Sequence, residues 1–309
     1  MVPNVPSCAE RRRLLVLGAR LAAAALIAPS VREALAGGAP AEPVFAEGYA
    51  PGDGVRLYFV QAGEGSLMLF LHGAPDSWAL YQSQLREFSR DHLAVAANLR
   101  GFAPSDAPAA VEAYVMPRLL GDVDGLLDYF GRERCILVGN DWGGYVAWVF
   151  ASAYPSRVER LIILNAPHPA VHLREVRTNA AQIEASQYER EFNTTVAPYP
   201  VWYNYYRADP IKVPASLKDS ANMGVPDLAA RFFAGVAKPP VTASLRVSVP
   251  TLVIWGMRDP SLLPHQLQGL EEYAPDLTVV PIEDAGHYPM RSHPGLSNEA
   301  IRGFLQRPK

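Results

Sequence analysis

Val138-Gly139-Asn140-Asp141-Trp142-Gly143-Gly144 is the stretch on which the reading of this chain turns. An apolar run, Cys135-Ile136-Leu137-Val138, leads into it, and a helix-like run, Tyr145-Val146-Ala147-Trp148-Val149-Phe150, leads out. Small residues thus flank an acidic one where a strand must turn sharply into a helix. That pattern describes a nucleophile elbow, with aspartate where serine is common. The substitution changes the chemistry: a carboxylate that attacks carbon leaves an ester on the protein, and water must then break that ester. The ordinary alternative for Asp141 is a helix N-cap, but Gly139, Gly143 and Gly144 are what a close-packed elbow requires.

Outward from the elbow, the chain alternates strands and helices. Strands are expected at Val55–Val60, Leu67–Leu71, Leu93–Ala97, 135–139, Leu161–Leu164, Thr251–Trp255 and Leu277–Ile282. Helices are expected over 78–90, Pro117–Phe130, 143–153, about Pro264–Tyr273 and 297–306, and Pro40 to Glu47 reads as a linker. Continuous apolar runs such as Leu67-Met68-Leu69-Phe70-Leu71 suit strands buried on both faces, so a mainly parallel sheet covered by helices follows. The alternation stops between His168 and Val249. That interval is rich in Tyr, Pro and Arg and too long for a plain loop. It is read as a helical lid over 168–248, inserted into a core of 37–167 and 249–309.

The first 36 residues read as an export signal. Arg11-Arg12-Arg13 precedes a short run of Leu, Ala, Val and Ile interrupted by Arg20, and Ala34-Leu35-Ala36 offers small residues to a peptidase. The paired arginines resemble a twin-arginine signal, which implies a periplasmic or secreted protein. The run is too short to span a bilayer, so stable membrane insertion is not expected. About 270 residues then remain, enough for one large domain with a generous core. Of 309 residues, 49% are hydrophobic and 19% charged, the net charge is -3, and no basic patch suggests nucleic acid. Of the two cysteines, Cys8 lies in the leader and Cys135 in a predicted strand, so the mature chain has no disulfide framework.

Two further residues complete a constellation. His287 lies in Asp284-Ala285-Gly286-His287-Tyr288-Pro289, after the last predicted strand, where an imidazole can activate water at neutral pH. Asp259 lies in Trp255-Gly256-Met257-Arg258-Asp259-Pro260, after the preceding strand, where it can orient His287; Asp284 is the weaker alternative. His72-Gly73-Ala74-Pro75 follows the first buried strand. Its turn can aim the Ala74 N–H at the site, with Pro75 a candidate for a cis bond. Together with the N–H of Trp142 it forms an oxyanion hole for the attack of water on the ester. His72, Pro75 and Trp142 are placed beside the substrate, although the His72 side chain reads better as a tie between two loops. His168 and His172 stand four apart without a matching carboxylate, so they are read as residues at the start of the lid and not as a zinc site.

In the order Asp141, Asp259, His287, these residues resemble the α/β-hydrolase fold in its aspartate-nucleophile branch, and within it the epoxide hydrolases. Its markers here are His72-Gly73-Ala74-Pro75, Arg100-Gly101-Phe102, Gly139 to Gly144, Asp259 and Gly286-His287. The resemblance implies an eight-stranded, mainly parallel sheet with helices on both faces and a helical lid. It departs from the family at Asn140, where His is usual, and at Ala103-Pro104-Ser105, where a second glycine is missing. Asn204-Tyr205-Tyr206-Arg207 resembles the Asn-Trp-Tyr-Arg lid motif, which places epoxide ring opening on Tyr206; Gln187-Tyr188 resembles the segment with the partner tyrosine. A phenol of pKa about 10 stays protonated at neutral pH and can hold the leaving alkoxide. The implied partners are a small apolar epoxide and water, without metal or organic cofactor; oligomeric state is left open. Two other readings share these residues. One is haloalkane or haloacid dehalogenation by the same triad. The other is an exported binding protein on an inactive fold, against which the presence of all three triad residues argues.

Overall fold

The computed structural model describes residues 42–187 and 245–308. Eight strands form one sheet in the order β1-β2-β4-β3-β5-β6-β7-β8. They are β1 (Ala46–Pro51), β2 (Arg56–Ala62), β3 (Ser66–Leu71), β4 (His92–Ala97), β5 (Cys135–Asn140), β6 (Val158–Leu164), β7 (Thr251–Gly256) and β8 (Leu277–Ile282). β2 runs antiparallel to both β1 and β4, and every other pairing is parallel. This is the mainly parallel sheet expected from the alternation, with the eight strands that the resemblance implied.

Side chains alternate across the sheet and so build two cores. Leu67, Leu69, Leu71, Leu137, Leu161 and Ile163 face one side, with α2 (Met116–Tyr129) and α3 (Asp141–Ala153). Met68, Phe70, Ile136, Val138, Ile162 and Leu164 face the other, with α1 (Gln82–Phe88) and α6 (Pro294–Leu305). β5 is buried at all six positions, so it is fixed from both faces, and the turn that follows it inherits that rigidity.

Two expectations are corrected. The segment read as a linker ends in a strand: Ala46–Pro51 pairs with β2 along its whole length. Its sequence, AEGYAP, has no apolar run, and what recruits it is the free edge of β2. The helix expected over 264–273 is two short 3-10 turns, Pro264–Leu267 and Leu270–Glu272. Gly269, at φ 78°, stands between them in a left-handed conformation that ends helical winding. At the start of the interval expected to form a lid lie α4 (Pro169–Thr178) and α5 (Ala180–Ala185). Among the described residues no helix is long and apolar enough to cross a membrane. Residues 1–36, read from the sequence as an export signal, and Tyr188 and Tyr206 lie outside the described residues.

Candidate active site

The sharp turn from β5 into α3 carries Asp141 at φ 51°, a left-handed conformation rare for a residue with a side chain. The turn closes because its neighbours are glycines. A Cβ on Gly139 would sit 2.6 Å from the Gly143 carbonyl oxygen, and one on Gly143 would strike the Leu71 and His72 carbonyls. Asp141 therefore stands at the carboxyl end of the sheet, in the first turn of α3, where the helix dipole favours an anion.

Three loops converge on this carboxylate. From the end of β3, the Ala74 N–H donates to Asp141 Oδ1 at 3.0 Å; the Ala74–Pro75 bond is cis. Trp142 holds the next position of the first helical turn, with its ring 5.6 Å from that of Tyr145. From the loop after β8, His287 Nε2 lies 3.4 Å from Asp141 Oδ2. Its other nitrogen, Nδ1, is 2.6 Å from Asp259 Oδ2. Asp259 sits in the loop after β7 with its side chain fully buried. Its Oδ1 accepts the Ser261 and Leu262 N–H groups at 3.0 Å each, and Oδ2 accepts Asn165 Nδ2 at 2.9 Å. Asp284, the alternative acid, is exposed and lies 3.3 Å from His293.

The electrostatics follow from that geometry. Burial by itself lowers the pKa of His287. The charge of Asp259, reinforced by hydrogen bonds to both carboxylates and the charge of Asp141, outweighs burial and raises the value from 6.5 to about 10. At neutral pH His287 is therefore an imidazolium.

The other predicted positions fall into place differently. The His72 side chain is fully buried, with its pKa lowered by that burial. Its Nε2 accepts the Leu99 N–H at 3.1 Å, which puts the proton on Nδ1, 2.7 Å from the Gly73 carbonyl. It therefore ties two loops together behind the site and does not line a pocket. Pro75 is half-buried beside Ala74. His168 caps α4 by accepting the Ala170 N–H, and its Nε2 donates to the Leu245 carbonyl at 2.9 Å. Burial holds its pKa down, at about 4.

Sequence reasoning missed Asn165 and the Asp76–Arg291 pair. Asn165, at φ 40°, follows β6; its Oδ1 accepts the Gly256 N–H at 2.7 Å while Nδ2 reaches Asp259. A polar residue directly after a buried strand was the available signal, since such positions face the site. Arg291 Nη2 meets the fully buried Asp76 carboxylate at 2.5 Å, joining the histidine loop to the segment after Pro75. Nothing in the local sequence links residues so far apart.

Residues 66–294 match the alpha/beta hydrolase fold family. This chain belongs to that family. Within it, the hydrolase is 32% identical over 281 residues to epoxide hydrolase 3 of Xenopus tropicalis, covering 82% of this chain and 75% of that protein. A Bacillus megaterium epoxide hydrolase solved with an inhibitor is 30% identical with a TM-score of 0.74, over 84% of this chain and all of the other. A mutant of a Bacillus megaterium epoxide hydrolase, complexed with its product, an (R)-naphthyloxy-propane-1,2-diol, gives a TM-score of 0.75 at 30% identity, again over 84% of this chain and all of that one.

Proposed function

We propose that this hydrolase opens an epoxide to a diol through an ester on Asp141. The observation that carries the reading is the placement of one carboxylate between two different groups: Oδ1 on the Ala74 N–H, Oδ2 facing His287 Nε2. Oδ2 attacks an epoxide carbon, and the ring C–O bond breaks as the new C–O bond forms. The alkoxide takes a proton from a lid phenol; Tyr206 and Tyr188 are the proposed donors, both outside the described residues. Water then attacks Asp141 Cγ and gives its proton to His287 Nε2. The negative charge grows on Oδ1, where the Ala74 N–H and the first-turn N–H of Trp142 stabilise it. As this intermediate collapses, the departing alkoxide takes the proton from His287 and leaves as the diol, and the carboxyl proton left on Asp141 passes to the lid phenolate, which restores carboxylate and phenol.

The charge balance makes the order of steps self-enforcing. While Asp141 is an anion it helps keep His287 protonated, and an imidazolium accepts no proton. Ester formation removes that negative charge, lowers the pKa of His287 and releases a base only when there is an ester to hydrolyse. Relatives and solved neighbours that are epoxide hydrolases support the substrate class. The test is to offer a terminal epoxide and a haloalkane and follow diol and halide. Diol formation is expected; halide release without diol would reassign the reaction to dehalogenation. Incubation of a His287→Gln variant with the epoxide is expected to leave a mass adduct on Asp141.

We also infer that residues 168–248 form the lid and that residues 1–36 direct export. The order of a basic start, a short apolar run and Ala34-Leu35-Ala36 supports the second. Replacing Arg11 and Arg12 by lysine is expected to retain the protein in the cytoplasm of an expressing bacterium; unchanged release would refute the twin-arginine route.

A further inference from the structure

Gln182 has no exposed surface, and all of its polar groups are engaged. It lies on α5, outside the sheet. Its Nε2 donates to the Ser261 carbonyl at 2.6 Å and to Ser186 Oγ at 2.8 Å, and its Oε1 accepts the Leu263 N–H at 3.0 Å. The same short turn supplies the Ser261 and Leu262 N–H groups that hold Asp259 Oδ1. One amide side chain thus grips a three-residue turn from outside while that turn grips the acid from inside. The helix behind Gln182 is itself anchored: Asn179 caps it by accepting the Ala181 and Gln182 N–H groups, and Asn179 Nδ2 donates to Glu175 on α4 at 2.8 Å. On the strand side, the Asp259 N–H donates to the Gly256 carbonyl at the end of β7 at 3.3 Å, so the turn held by Gln182 fixes the other side of the acid.

We propose that Gln182 is a positioning residue for the ester-hydrolysis half of the reaction. It holds the turn at residues 261–263 so that Asp259 keeps His287 aimed at the water-attack position. The inference rests on the two-step reading above and adds to it a functional tie from the first helices after β6 to the triad acid. It makes an asymmetric prediction, because alkylation uses Asp141 and the lid acid, whereas ester hydrolysis also needs His287 as a base. A small tilt of the imidazole penalises only the second step.

The test is rapid-quench mass spectrometry with styrene oxide, a terminal aryl epoxide, on the native enzyme, Gln182→Leu, Gln182→Glu and Ser186→Ala. In Gln182→Leu, ester formation is expected to stay within about threefold of native while ester breakdown slows about tenfold, so the adduct accumulates. Gln182→Glu keeps an acceptor for the Leu263 N–H and loses the donation to Ser261; it is expected to shift breakdown in the same direction. If Gln182→Leu does not fold, Gln182→Glu carries the comparison. Ser186→Ala leaves both bonds to the turn and is expected to behave as native. Equal slowing of both steps, or unchanged breakdown, would overturn the proposal. A native enzyme that makes diol with no adduct at any time overturns the Asp141 ester itself, and that outcome is read in the native arm alone.

Discussion

At the scale of single residues, the site is a problem of where one negative charge sits. In the proposed cycle His287, which lies between two carboxylates, is an acid in the resting protein and a base only after Asp141 is esterified. The first prediction follows: Asp141→Asn removes one of the charges that raise His287, so its imidazole titrates below the native value of about 10, as NMR of the ring would show. In the proposed cycle the same variant loses roughly 10⁴-fold or more in turnover. The sign of the linked stability is also fixed. A folded pKa above the ordinary 6.5 means the stabilisation is complete below pH 6.5 and is lost as pH rises towards about 10. Urea midpoints of the native protein and His287→Gln should therefore converge over that window; parallel midpoints would show that the coupling is absent. Asn165 offers a third test. Truncation to alanine leaves the Gly256 N–H without its acceptor and Asp259 without one donor, costing about 2 kcal/mol in denaturant unfolding and lowering turnover.

At the scale of elements, the elbow is rigid because β5 is buried on both faces and because glycine alone permits the approach of α3 to β3. Gly143→Ala would drive a methyl group into the Leu71 and His72 carbonyls, which are backbone and cannot swing aside. We expect a loss of about 3 kcal/mol, measured as a fall in the unfolding midpoint. Elements of this kind were readable from sequence. Residues 135–138 and 67–71 are unbroken apolar runs inside β5 and β3, and Leu277–Ile282 has the bounds expected from its pattern. Elements that owe their form to a neighbour were not. β1 is a strand because β2 offers an edge, and the 264–273 segment winds as two short turns because Gly269 takes a left-handed conformation.

At the scale of the whole molecule, the candidate site is held together by contacts between loops far apart in the chain. The buried Asp76–Arg291 pair bridges the segment after Pro75 and the residues after His287. Removing one partner leaves a charge in a poor solvent, so Asp76→Ala is expected to cost about 3–5 kcal/mol of unfolding free energy in urea, and an effect under about 1 kcal/mol would mean the pair is structurally idle. By itself the sequence determined the fold class, the elbow and the candidate roles of Asp141, Asp259 and His287, because apolar period, glycine spacing and residue chemistry are local properties. Only the tertiary structure decided which carboxylate meets His287, Asp259 or Asp284. It alone showed that His72 is spent on two backbone loops, and that Asn165 and Gln182 brace the acid. Those outcomes depend on the register and crossing of strands, which place loops from β3, β5, β6, β7 and β8 at one end of a single sheet. No local pattern encodes that convergence; it arises when the two buried faces of the sheet pack and leave their carboxyl ends together.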